Sequence, residues 1–173
     1  MSLFDGLLRA LDALSPPRVA EAHCDIPCGI YDPHAAQVAA LTVIRMNQLI
    51  GALEKPGAGA GREQQEAYDH SFGRYVAVKE EHAKIVEHEL IILWTDYFKP
   101  EHLEKHPNLH DLIWKTSKLT STVKQQINMQ AAQDLLAGCQ QVAEIFWATK
   151  GVQTKRQPSG QPTGGEVVYP VAG

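Results

Sequence analysis

The chain has 173 residues, 44% of them hydrophobic and 21% charged, with a formal net charge of −4. That length is enough for one domain with a real hydrophobic core. No apolar run approaches the length of a membrane span, and the acidic balance argues against a nucleic-acid surface. Three cysteines, an odd number in a chain this long, exclude a disulfide-stapled secreted scaffold.

The first segment reads as an amphipathic helix. Leu3, Leu7, Leu11 and Leu14 recur at helical spacing, with Phe4 and Leu8 widening the stripe. Ser15-Pro16-Pro17 ends it, because proline lacks the amide donor and disfavours helix in the residue before it. Ala20-Glu21-Ala22 matches the cleavage pattern of an export signal. Asp5, Arg9 and Asp12 nevertheless interrupt the would-be apolar region, and no basic stretch precedes it. The expectation is a leader, residues 1–22, removed in the cytoplasm.

Next comes His23-Cys24-Asp25-Ile26-Pro27-Cys28. Two thiols and an imidazole within six residues form a soft-ligand cluster suited to zinc, copper or nickel. A structural zinc site would need a fourth ligand, usually from a second Cys/His pair, and no second cysteine pair follows. The bland alternatives are a reversible disulfide or two incidental thiols. Cleavage before His23 changes the donor count. The new α-amine, the Cys24 amide and the two thiolates make an N2S2 set, a tetragonal preference that selects nickel or copper(II). The His23 imidazole is then available axially.

Asp32-Pro33 starts a helix, with an acceptor at the N-cap and proline at the first helical position. Its stripe is Ala36, Ala39, Val43, Met46, Ile50 and Leu53, and the glycine-rich stretch from Lys55 to Gly61 breaks it. A second helix is expected from Glu63 to Phe98, with Ala83, Val86, Leu90, Leu93 and Tyr97 on its core face. Pro100 and Pro107 bracket a polar turn. A third helix carries Leu109, Leu112, Thr116, Leu119 and Val123, and a fourth Ala132, Leu135, Cys139, Val142 and Phe146. The expected architecture is all-α: an antiparallel four-helix bundle over residues 23–150, preceded by a metal-binding hook at 23–31. Residues 151–173, rich in Gly, Pro, Ser, Thr and Gln, are expected to be disordered. Val167-Val168-Tyr169 is read as part of a frayed end, with a short docking motif as the alternative.

Cys139, on the apolar stripe, is expected to be a core thiol. His102, His106 and His110 are expected to be solvated, and the three tryptophans to serve the core or subunit contacts.

His23-Cys24-Asp25-Ile26-Pro27-Cys28-Gly29-Ile30-Tyr31-Asp32-Pro33 resembles the hook of the nickel superoxide dismutases. Trp94-Thr95-Asp96-Tyr97-Phe98-Lys99-Pro100 resembles a second stretch of that family, and Ile145-Phe146-Trp147 with Thr149-Lys150 its closing helix. The resemblance implies one nickel ion per subunit, ligated by His23, Cys24 and Cys28, with Pro27 holding the hook's turn through a cis bond. It implies that Tyr31 and Tyr97 line the pocket where superoxide is converted to dioxygen and hydrogen peroxide. It also implies a cytoplasmic homohexamer, a maturation protease and room for a nickel chaperone, with no nucleic-acid or membrane partner. A non-catalytic nickel or copper storage or delivery protein is the alternative. The family places a Glu and an Arg beside the axial imidazole; Ala39 and His82 stand at those positions here, so His82 or water is expected to take over. Loss of the leader removes three acidic and two basic residues, so the formal charge moves only from −4 to −3. Steering of an anionic substrate then falls to local lysines such as Lys99.

Overall fold

The computed structural model describes residues 28–171. Four long helices carry the architecture: α1 (His34–Gly51), α2 (Arg62–Ile92), α4 (Leu109–Gln125) and α5 (Met129–Thr149). The short α3 (Pro100–Lys105) lies between α2 and α4. The helix α1 packs on α2 and α5, and both of these pack on α4, which closes an antiparallel four-helix bundle.

Leu90, Leu93, Leu109, Ile113, Leu135, Val142 and Phe146 form the solvent-free interior. Two polar details fix how the helices meet. Lys79 is buried, and its ammonium donates to the Val123 and Gln126 carbonyls at the end of α4. A cation there satisfies orphan carbonyls and complements the negative end of the helix dipole. Burial pushes the Lys79 pKa down against a smaller opposing effect of Glu80. At the α4–α5 crossing, a Cβ on Gly138 would lie 2.3 Å from Thr116 Oγ1, so only glycine permits this approach.

The helix bounds differ from the expected ones: α1 stops at Gly51, and the polar stretch expected as a turn after Pro100 forms α3. Helix α1 begins at His34 with Pro33 as its N-cap, and Asp32 acts from one residue further out, its Oδ1 accepting from the His34 amide at 2.7 Å. The α-helix of α2 stops at Ile92, and Leu93–Tyr97 continue as a π-helical turn. An inserted turn of this kind re-aims the side chains it carries, and such turns are frequent at functional sites. Here it carries Trp94 and Tyr97 to the end of the bundle.

The expected disordered tail is corrected. Strands β1 (Thr154–Pro158) and β2 (Glu166–Pro170) pair antiparallel, with Arg156 opposite Val168. The hairpin lies in the groove between α1 and α5. Val167 and Val168 are 2% exposed. Gln48 Nε2 donates to the Thr163 carbonyl, while Gln140 Nε2 donates to that of Glu166. Arg156 bonds both Gln140 and Glu144, and that hydrogen bond to Glu144 raises the Arg156 pKa. Local composition suggested disorder because the segment is too polar to fold alone. Its partners on α1 are over a hundred positions away and those on α5 are side chains of another element, so no local pattern reveals them. The hairpin also accounts for the burial of Gln37 and Leu41 beyond the single expected stripe of α1.

Candidate metal centre

His23, Cys24 and Pro27 lie outside the described residues, as do the leader and the expected cis bond. The described part of the hook begins at Cys28, whose side chain is exposed and in no disulfide. The Ile30 amide donates to Cys28 Sγ at 3.5 Å, and Gly29 between them has φ +71°. That left-handed conformation favours glycine and turns the chain sharply behind the thiol. Among the described residues no three His, Cys, Asp or Glu side chains gather into a metal site. Cys139 is excluded as a ligand: it is 1% exposed, and burial pushes its thiol up to about 12. A thiol so placed does not ionise at neutral pH.

Cys28 fits a nickel centre as its thiolate donor. Its side chain is exposed and in no disulfide, so a metal ion can reach the sulfur, and the Ile30 N–H already points at it.

Beside this segment the two expected tyrosines meet. Tyr31 packs against Tyr97 with ring centroids 5.5 Å apart. A cleft of about 360 Å³ is lined by Gly29, Tyr31, Asp96, Tyr97, Lys99 and His102. Tyr97 is the most heavily braced of them. Its ring stacks on His102 at 5.6 Å, contacts Phe146 at 4.5 Å and meets Phe98 edge-on. Its hydroxyl lies 2.6 Å from Thr149 Oγ1. The single Thr149 hydroxyl hydrogen is given to the Phe146 carbonyl at 2.7 Å, so the Tyr97 O–H is the donor in that pair. Lys150 Nζ stands 5.6 Å from the Tyr97 centroid and 4.7 Å from that of Phe146, a cation–π arrangement behind the cleft.

Three residues around Tyr97 were not assigned to the site from the sequence. His102, expected to be solvated, is half-buried and stacked on Tyr97. Thr149 and Lys150 were visible only as part of a matching closing stretch, and nothing in their local pattern predicted contact with Tyr97. His110 accepts from the Trp94 indole N–H at 2.6 Å. Ala39 is buried in α1. His82 has its Nδ1 2.9 Å from the Val78 carbonyl one turn earlier, and it stands fifteen positions before Tyr97, roughly 22 Å by helical rise. Neither lines the cleft.

The sequence model for nickel-containing superoxide dismutase matches residues 18–150. The chain belongs to that family. It is 36% identical over 141 residues to the nickel superoxide dismutase of Streptomyces coelicolor, covering 81% of this chain and 98% of that protein. The Streptomyces seoulensis enzyme gives 35% over the same length. A native nickel superoxide dismutase crystal structure aligns with TM-score 0.63 at 35% identity, over 74% of this chain and 99% of the other. The metal-free structure of such an enzyme aligns at 0.61, with 32% identity, over 71% and 99%. The family match ends at residue 150, so the hairpin lies beyond it.

Proposed function

We propose that this chain disproportionates superoxide to dioxygen and hydrogen peroxide at a nickel centre completed by cleavage before His23. His23, Cys24 and Cys28 would hold the metal, with the His23 α-amine and the Cys24 amide completing the donor set. When bound, nickel supplies the one-electron chemistry, cycling between its divalent and trivalent states.

The observation that carries this reading is the cleft itself: Gly29 and Tyr31 from the hook share it with Tyr97 of the π-helical turn and Lys99 just before α3. Its lining residues have distinct tasks. Lys99 and His102 line it together with one acidic group, Asp96, and Lys99 offers an anion a local attraction that the net charge does not. Tyr97 has committed its proton to Thr149 and acts as a fixed wall. Proton delivery to the reduced product therefore rests with Tyr31, the cysteine thiols or ordered water.

A storage or delivery protein would call for an exposed hook with no ordered tyrosine nearby. Tyr31 packs on Tyr97 three residues from Cys28, which disfavours that alternative. The proposal also takes the working form to be a cytoplasmic homohexamer matured by a protease, with a nickel chaperone as a further candidate partner. Exposed Ile91, Trp114 and Ile127 supply apolar surface of the kind subunit contacts cover. Among the described residues no helix is long and apolar enough to cross a membrane.

The test is to produce residues 23–173 with His23 as the true N-terminus, add nickel, and assay superoxide removal beside the uncleaved chain. Activity in the cleaved form alone is expected, lost on Cys28→Ser with the bundle still folded. Equal activity in both forms, or none in either, rejects the proposal.

A further inference from the structure

The described part of the hook starts on the surface. Cys28 and Gly29 are exposed and Ile30 is 77% exposed. Its position relative to the cleft is therefore decided at its base, residues 31–37, where the chain enters α1. On one side Tyr31 rests on Tyr97. On the other side the contact is made by β2, an element beyond the family match.

Two contacts make that attachment. Gln37, with 0% of its surface exposed, spends both ends of its amide on one residue. The Val168 N–H donates to Gln37 Oε1 at 2.8 Å, and Gln37 Nε2 donates to the Val168 carbonyl at 3.3 Å. One turn earlier, the His34 ring packs on Tyr169 with centroids 5.4 Å apart. The His34 amide in turn holds the Asp32 carboxylate, which reaches the residue next to Tyr31. A cleft of about 350 Å³ remains among Asp32, His34, Trp147, Val168, Tyr169 and Pro170. The hairpin therefore meets the hook's base through discrete contacts at Tyr169 and Gln37.

The strand is itself firmly seated. Val167 and Val168 are buried, Gln140 holds the Glu166 carbonyl, and Arg156 on β1 is paired with Glu144 of α5. A segment anchored on α5 thus packs against the first turn of α1.

We propose that the C-terminal hairpin preorganises the metal-binding segment, with Tyr169 and Gln37 as positioning residues acting through His34 and the Asp32–Pro33 turn. The inference rests on the dismutase reading only for what the segment does. Preorganisation of a ligand-bearing loop removes ordering cost from metal binding and holds donors in the geometry the metal needs.

The test begins on metal-free residues 23–173, by amide hydrogen exchange. Tyr169→Ala and Gln37→Leu should each speed exchange across residues 29–34 by about tenfold, while the core amides of α2 and α4 stay as slow as before. Tyr169→Phe keeps the ring and should match the wild type. With nickel added, the first two variants should retain less metal and show altered thiolate-to-nickel charge-transfer bands, and Tyr169→Phe should show neither change. Unchanged exchange at 29–34 while the Val168 amide becomes deprotected would overturn the inference. So would a uniform rise across the whole bundle, the signature of a merely structural role, or a Tyr169→Phe variant as loose as Tyr169→Ala. Failure of the wild type to bind nickel or remove superoxide would sink the dismutase reading and leave the exchange comparison standing.

Discussion

Tyr97 and Thr149 are joined across 52 positions of sequence by a 2.6 Å hydrogen bond in which the phenol is the donor. The direction is fixed because the Thr149 hydrogen already goes to Phe146. Tyr97→Phe and Thr149→Val should each cost about 1 kcal/mol, and the double variant little more than either alone. A double-mutant cycle from denaturant unfolding measures this. Additive costs would mean that the two groups do not act as a pair.

Lys99 lines the cleft next to the tyrosines and is exposed. Charge reversal by Lys99→Glu should lower kcat/KM for superoxide by roughly three- to tenfold at low ionic strength, because capture of a small anion is steered by local potential. The deficit should shrink as salt is raised and the Debye length contracts. A salt-independent deficit would assign Lys99 a task other than steering.

Gly138 faces Thr116 with no room for a methyl group. Alanine is the better helix former by about 1 kcal/mol, yet Gly138→Ala should destabilise by about 1–3 kcal/mol, because a 2.3 Å approach to Oγ1 forces the α4–α5 crossing apart. Thr116→Ala introduced alongside should recover most of the loss. Thermal unfolding of the single and double variants decides it.

Cys139 should stay unlabelled by a thiol reagent in the native chain at pH 8 and react once urea unfolds it. Burial favours the neutral thiol, so the folded pKa of about 12 lies above the ordinary 9.0. This contribution to stability is complete below the unfolded value. It is lost as pH rises between about 9 and 12, by at most about 1.4 kcal/mol per pH unit. The difference between wild type and Cys139→Ala in urea midpoint, followed from pH 8 to pH 11, isolates it from the lysines and tyrosines that titrate alongside.

Much of the bundle was legible because helix packing writes itself locally. The stripes through Val43, Leu90, Val123 and Val142 repeat every three or four residues, and each of these side chains is buried; on α4 the expected Leu112 and Leu119 are only half-buried, and Ile113 and Thr120 are buried in their place. Likewise Tyr31 and Tyr97 could be assigned to one cleft from two matching stretches. The bracing of Tyr97 could not. Its partners Phe146, Thr149 and Lys150 belong to a helix fifty residues later, and the π-helical turn that aims it has no signature in the hydrophobic period. His102 was misjudged for the same reason, since its neighbouring prolines and charges speak of a solvated turn.

The sequence by itself determined which residues form the long helices, which side of each faces inward, and that the soft donors cluster at His23, Cys24 and Cys28. Periodicity and ligand chemistry are properties of neighbours along the chain. Only the tertiary structure decided that residues 154–170 fold at all, that Gln37 is buried against Val168, and that Tyr169 reaches His34. The hairpin's polar strands bury too little to order themselves, and they gain their stability from a groove that exists only after α1 and α5 have packed.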